Sequence, residues 1–205
     1  MSFLGIDPSL TGFAYRHRPY SATGTSYGFG IRTKPKDFAS FPARLDFITL
    51  EFRRFLSTHG STVRLAAIEG FSFGSARSGM TQVMITAVGM MARVELWRAG
   101  IPFLEVPPST LKKWITGKGN AEKNLMLREV FKRWGFEAET DDDADAFALL
   151  KLAERWCEAE PGWRFNDQTK TDRVLWEQVQ KACTMIQGRE EAIEGNYGAD
   201  GSGGW

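Results

Sequence analysis

A chain of 205 residues, 42% hydrophobic and 25% charged, can bury a core in a single domain and is too apolar for a disordered protein. The net charge is +1, but residues 187–205 hold one base against four acids, a net charge of −3, which leaves +4 on residues 1–186. A mildly basic surface permits nucleic-acid binding without requiring it. The only two cysteines argue against a disulfide framework. Because no apolar run has membrane-spanning length and Asp7 follows the amino terminus too closely for a secretion signal, we expect a cytoplasmic protein with no membrane partner.

The first half of the chain predicts a meander of strands followed by a helix and a further strand. The strands are expected at residues 2–7, 11–17 and 25–32, joined by short turns. A helix is expected from Ser40 or Pro42 to about residue 58, and an apolar strand follows over Val63–Glu69. Short turns between the first strands favour antiparallel pairing.

The second half predicts helices alternating with one strand. A loop over 70–79 leads into an apolar helix at 80–97. The elements expected after it are a strand at 102–106 and helices at 108–115, 121–134 and 141–158, the last of which is capped by Thr140. This order predicts an α/β fold with a mixed five-stranded sheet flanked by helices, formed by a domain over 1–158. We expect a helical extension over 159–186, with one helix at 171–186, and a flexible tail over 187–205.

Four acidic residues stand at the places where such a fold gathers a site. Asp7 and Glu69 each close an apolar strand, and Asp142 and Asp145 lie three residues apart at the start of the last long helix. Each position also has a purely structural explanation, because Asp caps turns and acids at a helix start satisfy its dipole. Four acids converging at one sheet edge would instead need a cation.

An oxygen-only ligand set without histidine or thiolate favours Mg²⁺, with Mn²⁺ as a substitute, over zinc. Such a cluster suits phosphodiester hydrolysis with two metal ions. No Ser-His-Asp or Cys-His arrangement is apparent, and His17 and His59 are predicted to be surface residues.

Five motifs occur together in one order and spacing: Gly5-Ile6-Asp7-Pro8-Ser9-Leu10-Thr11-Gly12, Ile31-Arg32-Thr33-Lys34, Ala67-Ile68-Glu69, Gly117-Lys118-Gly119-Asn120-Ala121-Glu122-Lys123 and Asp142-Asp143-Ala144-Asp145-Ala146. Over residues 3–157 the chain resembles the RuvC family of Holliday-junction resolvases, and its Pro-Ser-Leu turn and long carboxyl-terminal part resemble a divergent, bacteriophage-type member. The resemblance implies a ribonuclease H-like fold, a homodimer, a bacterial or phage-infected cell as the setting, and Mg²⁺-dependent paired nicking of branched DNA at four-way junctions.

The resemblance also implies roles for individual residues. The catalytic and metal-binding acids of the family fall on Asp7, Glu69, Asp142 and Asp145. Its lysines near the scissile phosphate fall on Lys123 and, by spacing, Lys112. The aromatic side chain that probes the junction falls on Phe71 or Phe73. We expect further DNA contacts at Lys113 and Lys118, beside a loop with free amides, and a dimer contact along the apolar helix 80–97.

Three alternatives stay open at this stage. A broader debranching nuclease would also cut flaps and forks. An actin-like phosphotransferase or ATPase shares a Gly-Ile-Asp hairpin, but needs a duplicated domain that a chain without repeats does not provide. A catalytically dead junction-binding protein would not need all four acids.

Overall fold

The computed structural model describes residues 1–19, 26–71, 79–158 and 170–188. The strands are β1 (Ser2–Asp7), β2 (Gly12–Pro19), β3 (Tyr27–Arg32), β4 (Val63–Glu69), β5 (Phe103–Val106) and β6 (Thr184–Ile186). The helices are α1 (Phe41–His59), α2 (Gly79–Arg98), α3 (Pro108–Thr116), α4 (Lys123–Trp134), α5 (Asp141–Glu158) and α6 (Lys170–Ala182). The helix and strand order therefore follows the prediction closely.

The strands form one mixed sheet in the order β3-β2-β1-β4-β5-β6. β1, β2 and β3 pair antiparallel, whereas β1, β4 and β5 run parallel to one another. The predicted count of five strands is one too low, because β6 pairs antiparallel with β5 at the edge of the sheet. The helix predicted at 171–186 ends at Ala182 for the same reason, since the last three of those residues form the added strand. The predicted tail from residue 189 onward lies outside the described residues.

Local signals explain where several helices begin and end. Ser40 caps α1 by accepting a hydrogen bond from the Ala43 amide at 3.3 Å, and a proline follows in the first turn. α3 and α4 both end at glycines in the left-handed region, Gly117 at φ +79° and Gly135 at φ +65°. These ends fix the turn between α3 and α4, which carries the predicted DNA-contact loop.

Each face of the sheet is covered by helices. On one face, α1 and α2 pack over a core that includes Ile48, Phe52 and Leu96. On the other face, α3, α4, α5 and α6 pack over a core that includes Leu104, Leu149 and Trp176. α6 therefore belongs to the same hydrophobic core as the helices before it, although the proposed division of the chain at residue 158 stays a prediction.

α5 lies directly against β1. A Cβ atom on Gly5 would overlap the main chain of Ala146 and Leu150, so only glycine permits this approach. Because Gly5 is two residues before Asp7, this contact sets the distance between the end of β1 and the start of α5. The two halves of the predicted acid cluster are thus held by backbone packing.

The histidine prediction is wrong for one of the two residues. His17 is only 4% exposed and packs against Phe55 and His59. Phe29 and Tyr15 contact Phe55 in turn, and we call these five residues the histidine cluster. The His17 ring lies 5.2 Å from the His59 ring, which is itself half-buried. Burial, helped by the His59 charge, lowers the pKa of His17 to about 4. Alternation along β2 placed His17 on the core-facing side, but its sequence neighbours, Arg16 and Arg18, obscured that position.

Candidate active site

Two of the four predicted acids end adjacent parallel strands. β1 and β4 pair with Ile6 opposite Ile68, so Asp7 and Glu69 leave the same edge of the sheet side by side. Asp7 is 6% exposed, whereas Glu69 is half-buried. Carboxyl ends of neighbouring parallel strands are the usual position for a site in an open α/β sheet.

α5 brings the other two acids to the same edge. Asp142 and Asp145 project from its first two turns, and besides burial the charge of Asp142 acts on both Asp7 and Asp145, raising the pKa of each. A Cβ atom on Gly12 would overlap a carboxylate oxygen of Asp142, so a side chain at this position would require the Asp142 carboxylate to shift. Glycine at this position is therefore part of how the acid is accommodated.

The four acids line one cavity of about 460 Å³. Its walls come from the turn after β1, the end of β4, α2, α3 and the first turns of α4 and α5. The lining residues that carry charge are Asp7, Glu69, Lys112, Lys123, Asp141, Asp142 and Asp145. The convergence that the strand and helix positions predicted is present.

The carboxylates in this cavity repel one another. Burial raises the pKa of Asp7 well above its usual value, and the charges of Glu69, Asp145 and Asp142 raise it further. Burial raises the pKa of Asp145 to about 6, against the lowering effect of Lys112. Burial also raises the pKa of Asp142, with Lys123 acting in the opposite direction. The local lysines therefore do not fully compensate the acids.

The donor chemistry of this cavity suits a hard divalent cation. The acidic side chains of the cavity offer only oxygen atoms as metal donors, and these oxygens are partly desolvated. Binding of a divalent ion would reduce the repulsion between the carboxylates. Within the described ranges, no group of three or more acids, histidines or cysteines is already assembled around a single point. The type and the partial burial of these oxygen donors fit a hard divalent cation.

The predicted lysines divide into two pairs. Lys112 and Lys123 line the cavity, and Lys123 donates to Asp141 at 2.9 Å, which raises the pKa of Lys123. Lys113 points to α6, where it donates to Gln178 at 2.7 Å. Lys118 is exposed in the turn after α3. The structure thus groups the two predicted catalytic lysines with the acids, and sets the two predicted DNA-contact lysines outside the cavity.

The two candidate aromatic residues also differ. Phe71 lines the cavity wall and packs under the guanidinium of Arg93, whose Cζ lies 4.0 Å from the ring centroid. Phe73 lies outside the described residues.

Sequence reasoning missed two buried arginines that hold the site. Arg44 donates to the Leu10 carbonyl at 2.7 Å and the Thr33 carbonyl at 3.0 Å, fixing the turn that follows Asp7. Arg93 donates to the Glu69 carbonyl at 3.0 Å. The available signal was a single cation within an apolar helical run, Met90-Met91-Ala92-Arg93-Val94, where a charge is buried only if it is well paired.

None of the helices in the described part of the chain is long and apolar enough to cross a membrane.

Known proteins with similar sequences share one description. The family model for the crossover junction endodeoxyribonuclease RuvC matches residues 3–151. The crossover junction endodeoxyribonuclease RuvC of Synechococcus sp. (strain CC9311) is 31% identical over 159 residues, covering 73% of this chain and 95% of that protein. The protein of the same name from Saccharopolyspora erythraea is 33% identical over 156 residues, 75% of each chain.

A solved structure shares the fold. The structure of Thermus thermophilus RuvC in complex with Holliday junction substrate superimposes with a TM-score of 0.62 at 20% identity, covering 77% of this chain and 94% of that one. The predicted ribonuclease H-like α/β fold, with its mixed sheet between two layers of helices, is therefore confirmed.

Proposed function

Because this chain belongs to the RuvC family of crossover junction endodeoxyribonucleases, we propose that it resolves four-way DNA junctions by paired nicking as a homodimer. The observation that carries the proposal is the grouping of four carboxylates and two lysines around one cavity at the carboxyl edge of the sheet. The same chemistry would also serve a broader debranching nuclease that cuts flaps and forks. The actin-like alternative has no support, since the family match spans one undivided domain. The proposed setting is the cytoplasm of a bacterial or phage-infected cell.

Family members depend on a divalent metal ion. We propose that Asp7, Glu69, Asp142 and Asp145 hold Mg²⁺ in this chain, and that Mn²⁺ substitutes, because the ligands are oxygens alone. When bound, a pair of such ions supplies an activated water molecule and stabilises the leaving oxygen. The side chains themselves provide the fixed negative charge that collects the ions at the end of β1. Asp142 and Asp145 close the site from α5.

Lys112 and Lys123 neutralise charge that develops on the scissile phosphate. Both line the cavity with the acids, and Asp141 holds the exposed Lys123 ammonium near the cavity mouth. A cation in this position stabilises the transition state more than the bound substrate. Their role is therefore catalytic, whereas the exposed Lys118 and the Gln178-bound Lys113 serve as phosphate anchors outside the cavity.

Phe73 is the proposed junction probe, and Phe71 its anchor. Phe71 is packed against α2 and the Arg93 guanidinium, which leaves little reason for it to leave the cavity wall. A base freed at the branch point gains about 1–3 kcal/mol by stacking on an aromatic ring. Replacing each Phe by Ala and following 2-aminopurine fluorescence at the branch separates the two roles. Phe73→Ala should lose opening of the junction at an unchanged melting temperature, while Phe71→Ala should lower the melting temperature. The reverse pattern would exchange the assignments.

The exposed side of α2 supports a dimer with a second copy of this chain. Its exposed apolar residues are Met80, Val83, Met90, Val94 and Trp97, and half-buried Ala87 completes a spacing that alternates three and four residues. We call this row the α2 seam. A strict alternation of this kind is typical of a helix that packs against another helix. Two scissile strands related by a two-fold axis call for two sites in one isologous dimer.

Met90→Glu tests the α2 seam. Met90 is 49% exposed, so a carboxylate there leaves the monomer core intact and opposes only a partner. Val88 on the same helix is fully buried, so a carboxylate at that position would unfold the chain instead. Sedimentation should give a dimer for the wild type and a monomer for Met90→Glu, which should nick the two strands independently. The control is Phe131→Glu, a 56% exposed apolar residue on α4. A monomeric wild type, or a dimeric Met90→Glu, would contradict the interface.

The direct test of function is cleavage of three substrates with Mg²⁺: a mobile four-way junction, a flap and a linear duplex. Symmetric paired nicks in the junction alone support a resolvase. Comparable rates on the flap support the debranching nuclease. An intact junction after incubation with either Mg²⁺ or Mn²⁺ would refute both.

A further inference from the structure

Arg93 is a buried cation on the helix that carries the α2 seam. It is 5% exposed and lies between Ala92 and Val94, within the apolar second half of α2. Its side chain points to the sheet, whereas Met90, Val94 and Trp97 face outward. A guanidinium in this position is desolvated and persists only if its donors are satisfied.

The donors are satisfied by three different parts of the fold. Nη1 donates to the Gly89 carbonyl at 2.8 Å, within α2 itself. Nη2 donates to the Glu69 carbonyl at 3.0 Å, at the last residue of β4. Nε donates to the carboxylate of Glu105 on β5. One planar group therefore connects α2 to the two parallel strands beneath it.

The flat face of the same guanidinium covers Phe71. Cζ lies 4.0 Å from the centroid of the Phe71 ring. Gly89 makes this arrangement possible, since a Cβ atom there would lie 2.9 Å from the Phe71 ring and 3.3 Å from Nη1. Arg93 thus packs on Phe71, which follows β4, and the absence of a side chain at Gly89 of α2 leaves space for this contact.

The peptide group that joins Glu69 to Gly70 is held at both of its polar atoms. Arg93 holds the Glu69 carbonyl, and the Gly70 amide donates to the Val106 carbonyl at 2.7 Å. Because this planar peptide is held from both sides, the backbone that carries the Glu69 side chain is fixed at the cavity edge. No contact between Arg93 and the cavity interior is needed for this effect.

We propose that Arg93 is a positioning residue that ties the proposed dimer helix α2 to the carboxylate Glu69 and to Phe71. This inference rests on the proposed nuclease function and extends it. The guanidinium fixes the orientation of the Glu69 side chain. It also connects Glu69 to α2, the helix through which the second copy binds. Its loss should reduce the rate and the metal affinity together, with little effect on junction binding.

The first variant is Arg93→Lys, which keeps a positive charge beside Glu105 but not the planar fork. A lysine donates from one nitrogen, so it cannot reach the carbonyls of Gly89 and Glu69 while also covering Phe71. Single-turnover cleavage should fall about 10- to 100-fold, the usual effect of losing a group that orients a metal ligand. Isothermal titration of the DNA-free protein with Mn²⁺ should show about tenfold weaker binding. Arg98→Lys is the matched control, since Arg98 lies on the same helix and also pairs with an acid, Glu95, at 3.0 Å.

A second variant separates positioning from stability. Arg93→Met combined with Glu105→Leu replaces the ion pair by apolar side chains, an exchange that is often neutral for stability. The double variant should keep its melting temperature yet stay slow and bind Mn²⁺ weakly. Wild-type cleavage and Mn²⁺ affinity in a stably folded double variant, or in Arg93→Lys, would overturn the proposal. Failure of the wild-type protein to cut a junction would refute the nuclease assignment instead, and the Mn²⁺ titrations would still test the role of Arg93.

Discussion

The acid cavity lies at the end of β1, and the histidine cluster extends from β2, where His17 pairs with Leu4 of β1. Both bury ionisable side chains, Asp7 in one and His17 in the other. In the cavity, burial and neighbouring acids of the same charge raise the pKa of Asp7. In the histidine cluster, burial and His59 lower the pKa of His17 to about 4, so His17 is neutral near pH 7 among aromatic rings.

The difference concerns what the surrounding residues do to the charge. Burial favours the neutral form of the His17 side chain, which is compatible with a structural role. In the cavity the fold gathers several acids, and burial together with the charges of the other acids raises the pKa of Asp7. A perturbed pKa alone therefore does not mark a functional site. Convergence of like charges on one open cavity does.

The largest expected effect comes from neutralising a single cavity acid. Asp7→Asn, Glu69→Gln or Asp145→Asn should each reduce cleavage by about a thousandfold or more. Junction binding should be retained, because the acids repel the DNA backbone. The metal-free Asp7→Asn protein should also be more stable by about 1 kcal/mol, because a repelled buried carboxylate has been removed. Quenched-flow cleavage, a junction-binding assay and thermal melting measure the three effects. Full nicking by any one variant would remove that residue from the site.

Lys123→Met tests whether the cations in the cavity act on the transition state. We expect single-turnover cleavage to slow about a hundredfold, the scale for one electrostatic donor, with nearly unchanged junction affinity. Lys118→Met is the matched control, because Lys118 lies outside the cavity and should affect affinity alone. If Lys123→Met weakens binding as much as it slows cleavage, Lys123 is a phosphate anchor.

Gly12→Ala tests how closely Asp142 is held. The added methyl group overlaps an Asp142 oxygen, and the resulting displacement should slow cleavage about tenfold or more. Gly30→Ala on β3 is the control, because a Cβ atom there meets nothing within 4 Å. Equal rates for the two variants would show that Asp142 moves freely.

The smallest effect is expected in the histidine cluster, and only on stability. The folded pKa of His17, about 4, lies below the ordinary value of about 6.5, so the unfolded chain binds more protons between these two values. The free energy of unfolding should therefore fall as the pH drops from 6.5 to 4, by about 2 kcal/mol more in the wild type than in His17→Phe. Urea unfolding at a series of pH values measures this difference. Above pH 6.5 the two curves should run parallel, and parallel curves throughout would show that His17 titrates normally.

The sequence was sufficient for most of the fold because its signals are local. Ser40 and Pro42 begin α1, and Gly117 and Gly135 end α3 and α4 through their backbone conformation. β6 could not be predicted in this way. Three residues carry no strand pattern of their own, and Thr184–Ile186 becomes a strand only because the edge of β5 is available.

The site was predictable to the extent that strand ends and helix starts define it. Because β1 and β4 run parallel, the acids at their ends and at the start of α5 converge at one edge of the sheet. Arg93 and Arg44 escaped prediction because their partners are main-chain carbonyls far along the chain. A carbonyl carries no sequence signal. The assignment of individual catalytic roles stays a prediction until the variants are measured.

The contact of Gly5 with α5 has a consequence for the newly made chain. Asp7 leaves the ribosome 135 residues before Asp142, and at roughly 5–20 residues per second the interval is on the order of 10 s. Until α5 has been synthesised and its backbone has settled onto Gly5, Asp7 and Glu69 lack half of their partners. The proposed nuclease centre is therefore incomplete in the nascent polypeptide until translation has passed Asp145.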